Sequence, residues 1–306
     1  MRKRAWGITV CCLLAAAPAW AGAGRSGAQI LLQDFGARPA GMAGAYTALG
    51  SDINSLDWNP AGIANLEKID VTLMHWSGVE SMTTEWVAGA VPVPGLGTLA
   101  AQFVYAGQPP IDNQVPDQGT VEVRDMVFGV SFATTLAPGL RVGINGKMAV
   151  LTLGPSDTSA LAIDLGAQYD IDDVTRVGAA VRQLGSDVKF NSDEDPLPTT
   201  WVIGVSRVFA GDGPHSFNAD VDVDYLAPEQ NTTVRVGGEY WFRHLLALRA
   251  GYAYSYQKTI NTFSAGVGFR FKIAQVEMNL DYALRPQIWE NSDFDLQNLI
   301  SLGARF

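Results

Sequence analysis

From about residue 66 to its last residue, the chain alternates apolar and polar side chains. In Leu245–Tyr256, Leu246, Leu248, Ala250, Tyr252, Tyr254 and Tyr256 share one face, and Ala247, Arg249, Gly251, Ala253 and Ser255 share the other. In His215–Leu226, Phe217, Ala219, Val221, Val223 and Tyr225 oppose Asn218, Asp220, Asp222 and Asp224. In Ala274–Leu284, Val276, Met278, Leu280, Tyr282 and Leu284 oppose Gln275, Glu277, Asn279 and Asp281. A period of two predicts strands with one apolar and one wet face. Runs of roughly ten residues exceed the usual soluble strand and match a tilted bilayer crossing.

The pattern divides into segments at 67–77, 83–93, 97–106, 120–134, 140–152, 157–170, 174–188, 199–209, 215–226, 231–242, 245–257, 261–271, 274–285 and 297–306. The expected fold is all-β: a 14-stranded antiparallel transmembrane β-barrel with an N-terminal plug. An even strand number is the rule for single-chain bacterial barrels. Val121 and Val123 are out of phase with Met126, Phe128 and Val130, which predicts a bulge in the fourth strand.

Tight connections at Pro138-Gly139, Ile171–Asp173, Arg243-His244 and Lys272-Ile273 alternate with longer ones at Gly107–Gly119, Lys189–Pro198 and Pro286–Leu296. Outer-membrane barrels have short periplasmic turns and long outer loops, so odd-numbered strands should run outward. Aromatics then fall at the two membrane interfaces. Phe132, Tyr169, Tyr240, Phe242, Phe269, Phe271 and Phe306 take the periplasmic ends, and Trp86, Tyr105, Trp201, Tyr225, Tyr254, Tyr256 and Tyr282 the outer ones. The terminal LISLGARF closes on Phe306, like the C-terminal assembly signature of outer-membrane proteins.

The start of the chain fits this destination. Arg2, Lys3 and Arg4 precede the apolar run Ile8–Ala17, and Ala19-Trp20-Ala21 is an A-x-A cleavage site, so residues 1–21 read as a signal peptide for export to the bacterial outer membrane. Cys11 and Cys12 fall inside it, which leaves no disulfide or cysteine-ligated metal for the mature chain. Removing the signal leaves 18 Lys and Arg against 31 Asp and Glu, an unfavourable balance for nucleic acid.

Between the signal and the first strand lies a different kind of sequence. Residues 22–65 carry Gly36, Gly41, Gly44 and Gly50, helix-like pieces around Ile30–Phe35 and Ala43–Leu49, and the break DWNPAGIAN. Leu31, Leu32, Phe35, Met42, Tyr46, Ile53, Leu56 and Trp58 make it too apolar for a solvated tail. A fourteen-stranded barrel has a lumen that something must fill or gate, and this stretch is the available plug, with residues 66–306 forming the barrel. Asn59 can cap a turn, and Pro60 would stop a helix and deliver the chain to strand one at Leu66.

The run GARPAGMAGAYTALGSDINSLDWNPAGIANLE, Gly36–Glu67, resembles the N-terminal signature of the PorV/PorQ family. That family belongs to the superfamily of the long-chain fatty-acid transporter FadL and the aromatic-hydrocarbon channels. The resemblance implies a fourteen-stranded outer-membrane barrel whose hatch ends in an Asn-Pro-Ala motif, here Asn59, Pro60 and Ala61. The residues expected to build the plug motif are Gly36, Gly41, Gly44, Tyr46, Asn59, Pro60 and Ala61.

Inward positions are expected to carry Arg141, Lys147, Arg176, Arg182, Arg235, Arg249, Arg270 and Arg305 against Asp164, Asp220, Asp222, Asp224, Glu239, Glu277 and Asp281. The central charge network is Asp220, Asp222, Asp224, Arg235, Glu239 and Arg249, with Asp222 facing Arg235 across a hairpin. It reads either as a polar path or as a lock between wall and plug, and the lock is favoured. Catalysis and metal binding are not expected. His75 lies far along the chain's strands from His215 and His244, and alternate aspartates on one strand stand too far apart to share an ion. Acidic Asn191–Asp195 reads as a solvated loop. Pro92 and Pro94 could open a lateral gap by removing ladder donors, although ending the strand is the simpler role.

Three functions follow as expectations. The first is passive transport or binding of a hydrophobic small molecule, with outer-membrane lipid as surroundings and no cofactor. The PorV/PorQ resemblance implies a second, an accessory role in type IX secretion with secretion-system proteins as partners. The third is a structural barrel without transport.

Overall fold

Each alternating segment pairs with its neighbour in sequence, and the last pairs with the first. In the computed structural model, residues 24–78, 81–112, 120–190, 193–209, 213–256, 261–288 and 294–306 are described. Residues 1–23, with the expected signal peptide and its two cysteines, lie outside them, as do residues 191–192 of the acidic loop. Among the described residues, fourteen antiparallel strands close a barrel. They are β1 (Asp70–Ser77), β2 (Thr83–Val93), β3 (Gly97–Gly107), β4 (Val123–Ala137), β5 (Leu140–Leu153), β6 (Ser156–Asp170) and β7 (Thr175–Gly185). The second half is β8 (Thr200–Val208), β9 (His215–Leu226), β10 (Asn231–Phe242), β11 (Leu246–Ser255), β12 (Thr262–Ile273), β13 (Val276–Ile288) and β14 (Phe294–Arg305). Closure runs from Asp70↔Arg305 to Ser77↔Asn298.

Outward positions hold exposed apolar side chains, among them Val130 (70 %), Ile203 (64 %) and Phe263 (65 %). A belt of this kind around a closed sheet is a lipid-facing surface. Inward positions hold buried polar groups, with Asn145, Asp164, Asp220, Asp222 and Glu239 fully covered.

Several expectations need correction. Trp86 is not an interface aromatic: it points inward, is almost fully buried, and donates from Nε1 to Gln102 Oε1 at 2.8 Å. The phase break before β4 is not a bulge inside the strand, because Thr120–Val121 pair with Ile111–Asp112 in a separate small hairpin. The register shift of that strand falls instead at Thr135/Ala137. Acidic Asp193–Asp195 pairs with Val188–Phe190, so the second long connection is also partly a hairpin. The third is shorter than expected, since β13 and β14 extend to Ile288 and Phe294. Connections at this loop-bearing end include tight ones, such as Gly154-Pro155, so length alternation is a weaker rule than the sequence suggests. The turn-bearing opposite end carries the start of β1 and Phe306, whose N–H donates to Ile69 O at 3.0 Å.

Candidate functional site: the lumen, the leading segment and a chamber

An irregular chain can be buried only if its backbone groups find partners. The stretch Gly24–Leu66 has little regular structure: one α-helical turn at Ala37–Ala40 and 3₁₀ turns at Gln29–Leu32, Ile53–Asp57 and Pro60–Asn65. Ala43–Leu49 is not helical as expected. Ala43 (φ 54°) and Gly44 (φ 76°) are left-handed, which ends any helix there. Yet Phe35, Met42, Tyr46, Leu56, Ala61 and Ile63 are all buried.

Inward side chains of the wall supply the missing partners. The Asp222 carboxylate accepts from the N–H groups of Tyr46 (2.9 Å) and Thr47 (3.0 Å), and Asp220 accepts from Leu49 N–H (2.9 Å). The Gln168 amide donates to the carbonyls of Thr47, Ala48 and Gly50. Asn145 donates to Leu56 O, Gln183 to Leu31 O, and Ser301 Oγ accepts from Ala37 N–H. These partners come from β5, β6, β7, β9 and β14, so the stretch lies inside the ring.

Charged groups make the second set of attachments. Arg38 bonds Glu239 through two nitrogens (2.8 and 2.6 Å) and Asp52 through a third (2.7 Å). Glu239 is shared with Arg249, which also bonds Asp281 at 2.7 Å. Lys147 sits between Asp57 (2.8 Å) and Asp164 (2.7 Å). Arg285 pairs with Asp34. Burial alone would raise the Asp52 pKa, but Arg38 and Arg305 outweigh it and hold the carboxyl below its usual value. Burial pushes the Tyr46 hydroxyl well up, against the pull of Arg38, and its Oη donates to Asp52 at 3.0 Å.

The expected pairing of Asp222 with Arg235 holds in register only. The guanidinium bonds Asp224 Oδ2 at 2.6 Å and Ala43 O at 2.9 Å, because Asp222 is already taken by backbone amides.

The motif glycines mark close approach. A Cβ on Gly44 would meet the Trp58 ring at 2.5 Å, and Gly36 (φ 92°) lies against Asn54. Gly41 meets wall glycine Gly266, Cα to would-be Cβ, at 3.1 Å. Asn59 caps the turn after it, accepting from Ala61 N–H at 3.2 Å, and its amide donates to Thr47 O and to the wall carbonyl of Ala167, each at 3.0 Å. Pro60 therefore begins a 3₁₀ helix as its first residue instead of stopping one. The first strand starts at Asp70, not Leu66.

Pro92 is paired with Thr98 on the β3 side, and Pro94 lies in the following turn. Toward β1 the ladder stops at Asp70↔Ala90, so what remains there is a notch at the turn-end rim. His75 bonds Glu85 on the outward face, whereas His215 lies against Tyr240 and His244 against Gly213 O.

Among the described residues, the lumen keeps open space at the loop-bearing end. Two adjoining hollows, of about 300 and 170 Å³, share Leu32, Asp34, Asn231, Thr233 and Arg235. Ala43 and Trp58 of the leading stretch line them from below, and Arg182, Asp224 and Arg285 line them from the sides. This chamber is mixed in character, apolar at Leu31, Leu32, Ala253 and Leu226, charged at Asp34, Arg182, Asp224, Arg235 and Arg285, and otherwise largely polar.

The sequence reading missed Arg38, Asp52, Asp57 and Gln102, although all four anchor the stretch. The available signal was Arg38, Asp52 and Asp57 in a Gly/Ala-rich, apolar run, where each charge would need a partner.

The architecture matches solved outer-membrane channels along nearly their whole length. The chain is similar to the toluene transporter TbuX of Ralstonia pickettii, with a TM-score of 0.63 and 15% identity over 90% of this chain and 98% of that one. It is similar to the toluene transporter TodX of P. putida, with 0.61 and 13% over 90% and 97%. A FadL homologue of Pseudomonas aeruginosa matches at 0.50 and 11%, over 88% and 97%. At these identities the likeness is one of fold. In sequence, a UPF0164 protein of Treponema pallidum (strain Nichols) is 23% identical over 182 residues, 54% of this chain. The match spans 46% of that curated relative, about half its length. Residues 17–169 match the model of UPF0164, described as an uncharacterised protein family. The fold is thus that of the FadL-like barrels, and by this match the chain belongs to the UPF0164 family.

Proposed function

We propose that this protein is an outer-membrane barrel through which a small, largely hydrophobic molecule passes without an energy source, and that Gly24–Leu66 is its plug. The carrying observation is the chamber: a cavity at the loop-bearing end with the leading stretch as its floor. Its mixed lining suits a molecule with an apolar body and a polar end. The similarity to toluene transporters supports this class of cargo. In this reading residues 1–21 direct export, 22–65 form the plug and 66–306 the wall, with the tight turns in the periplasm. The lumenal charges act as the lock between plug and wall, and passage requires the plug to shift. The accessory role in type IX secretion that the PorV/PorQ resemblance implies has no observation in its favour here.

The test is uptake of a labelled monoaromatic hydrocarbon by intact cells whose own outer membrane excludes it. Cells producing this protein should take it up several-fold faster than cells producing Thr233→Trp, whose ring would intrude where the two hollows meet. Equal uptake by the two would remove the proposal.

A further inference from the structure

On the outward face, one row of side chains breaks the apolar belt. Tyr282 stands opposite Ile300, Ile300 opposite His75, His75 opposite Glu85, and Glu85 opposite Tyr105. His75 Nδ1 lies 2.6 Å from Glu85 Oε1, and His75 Nε2 lies 3.0 Å from Ser77 Oγ. Both side chains are about half exposed, at 46 % and 54 %. The two flanking tyrosines place the pair at interface height, where amphipathic rings sit.

The next row toward the turn end is wholly apolar: Leu280, Leu302, Leu73, Val87 and Phe103, each opposite the next. Between the rows lies a hollow of about 400 Å³, with Met74 and Trp86 at its base. Beside it the wall is uneven: β1 and β2 end at Ser77 and Thr83, while β13 and β14 continue to Ile288 and Phe294. The hollow is therefore apolar below, polar at its head and sheltered on one side.

His75 answers Glu85 at Oε1, and a carboxylate facing lipid stays unfavourable unless its second oxygen is answered too. The geometry points to a binding site for one aminophospholipid, a zwitterionic glycerophospholipid with a primary ammonium headgroup. The ammonium bonds the Glu85 carboxylate, the phosphate accepts from the Ser77 hydroxyl, whose oxygen faces His75 Nε2, and an acyl chain lies in the hollow along Leu73 and Leu302. This site is on the wall's outside, separate from the chamber and independent of whether the barrel transports anything.

The experiment is native mass spectrometry of the detergent-purified full chain titrated with phosphatidylethanolamine or phosphatidylglycerol. The ethanolamine lipid should remain bound at several-fold lower concentration than the glycerol lipid. Glu85→Gln should remove that preference, and Leu73→Trp, whose ring intrudes on the acyl-chain path, should weaken retention of both. Each variant is first shown to migrate as a heat-modifiable, folded barrel. Equal retention of the two lipids by the natural protein overturns the site, as does an unchanged preference in Glu85→Gln or a phosphate-rich lipid A displacing the ethanolamine lipid at equal concentration.

Discussion

Asp222 stands directly opposite Arg235 across the β9–β10 pair, yet its carboxylate is bonded to the backbone N–H groups of Tyr46 and Thr47. A wall carboxylate thus serves as the hydrogen-bond partner that an irregular stretch of chain cannot supply for itself. Replacing it with Ala leaves two buried amides without an acceptor, at on the order of 1–3 kcal/mol each. Asp222→Ala should lower the thermal unfolding temperature in detergent and make the stretch near Tyr46 open to protease. Asp222→Asn, which keeps an acceptor oxygen, should recover most of the protection.

Glu239 lies fully buried between Arg38 and Arg249. Glu239→Gln leaves two guanidinium groups facing each other with no negative charge between them. Removing one partner of a buried ion pair costs about 3–5 kcal/mol. The expected readout is a large drop in unfolding temperature that Arg38→Met partly restores in the double variant; additive losses would contradict the shared network.

Gly178 of β7 touches the leading stretch, and a Cβ there would stand 2.5 Å from Thr47 O. Gly178→Val has to push the stretch away or deform the wall, an overpacking effect of about 1–3 kcal/mol. Cysteine-labelling of a Thr47→Cys reporter should become several-fold faster in this background. An unchanged rate would mean that the stretch does not rest on this wall.

Arg38 and Arg305 hold the Asp52 carboxyl below its usual value against burial, so its folded form carries the charge where the unfolded form begins to lose it. A depressed carboxyl stabilises above its unfolded pKa of about 4, and that stability is lost as pH falls through the folded value. The stability difference between the natural protein and Asp52→Asn should therefore be constant at neutral pH and shrink only below about pH 4. Unfolding titrations at a series of pH values read it directly; a difference that shrinks near pH 6 would contradict the assignment.

The strands were legible because the period of two survives wherever one face is greasy and the other wet, as in β9 and β11. Strand phase was not legible where both faces are apolar. In Thr83–Val93 the inward Trp86, Ala88 and Ala90 look no more polar than the outward Val87 and Val91, and Trp86 turns inward to lie beside Phe35 with ring centroids 6.2 Å apart. The hairpin register placing Asp222 opposite Arg235 could be read from the turn between them. The true partners could not, because they belong to a stretch without periodicity whose path depends on the whole wall. The Asn59-Pro60-Ala61 break was recognisable as a border, but the reach of the Asn59 amide to Ala167 O is set by a fold the local sequence does not encode.

In the proposed function, the lumen is closed by a stretch held on the wall through Arg38 and Glu239. Ion conductance of the purified protein in a planar bilayer tests it most directly. The natural protein should show a closed baseline with brief openings, and Arg38→Ala should lengthen or multiply them several-fold. A steady open-pore current, the same in both proteins, would contradict it.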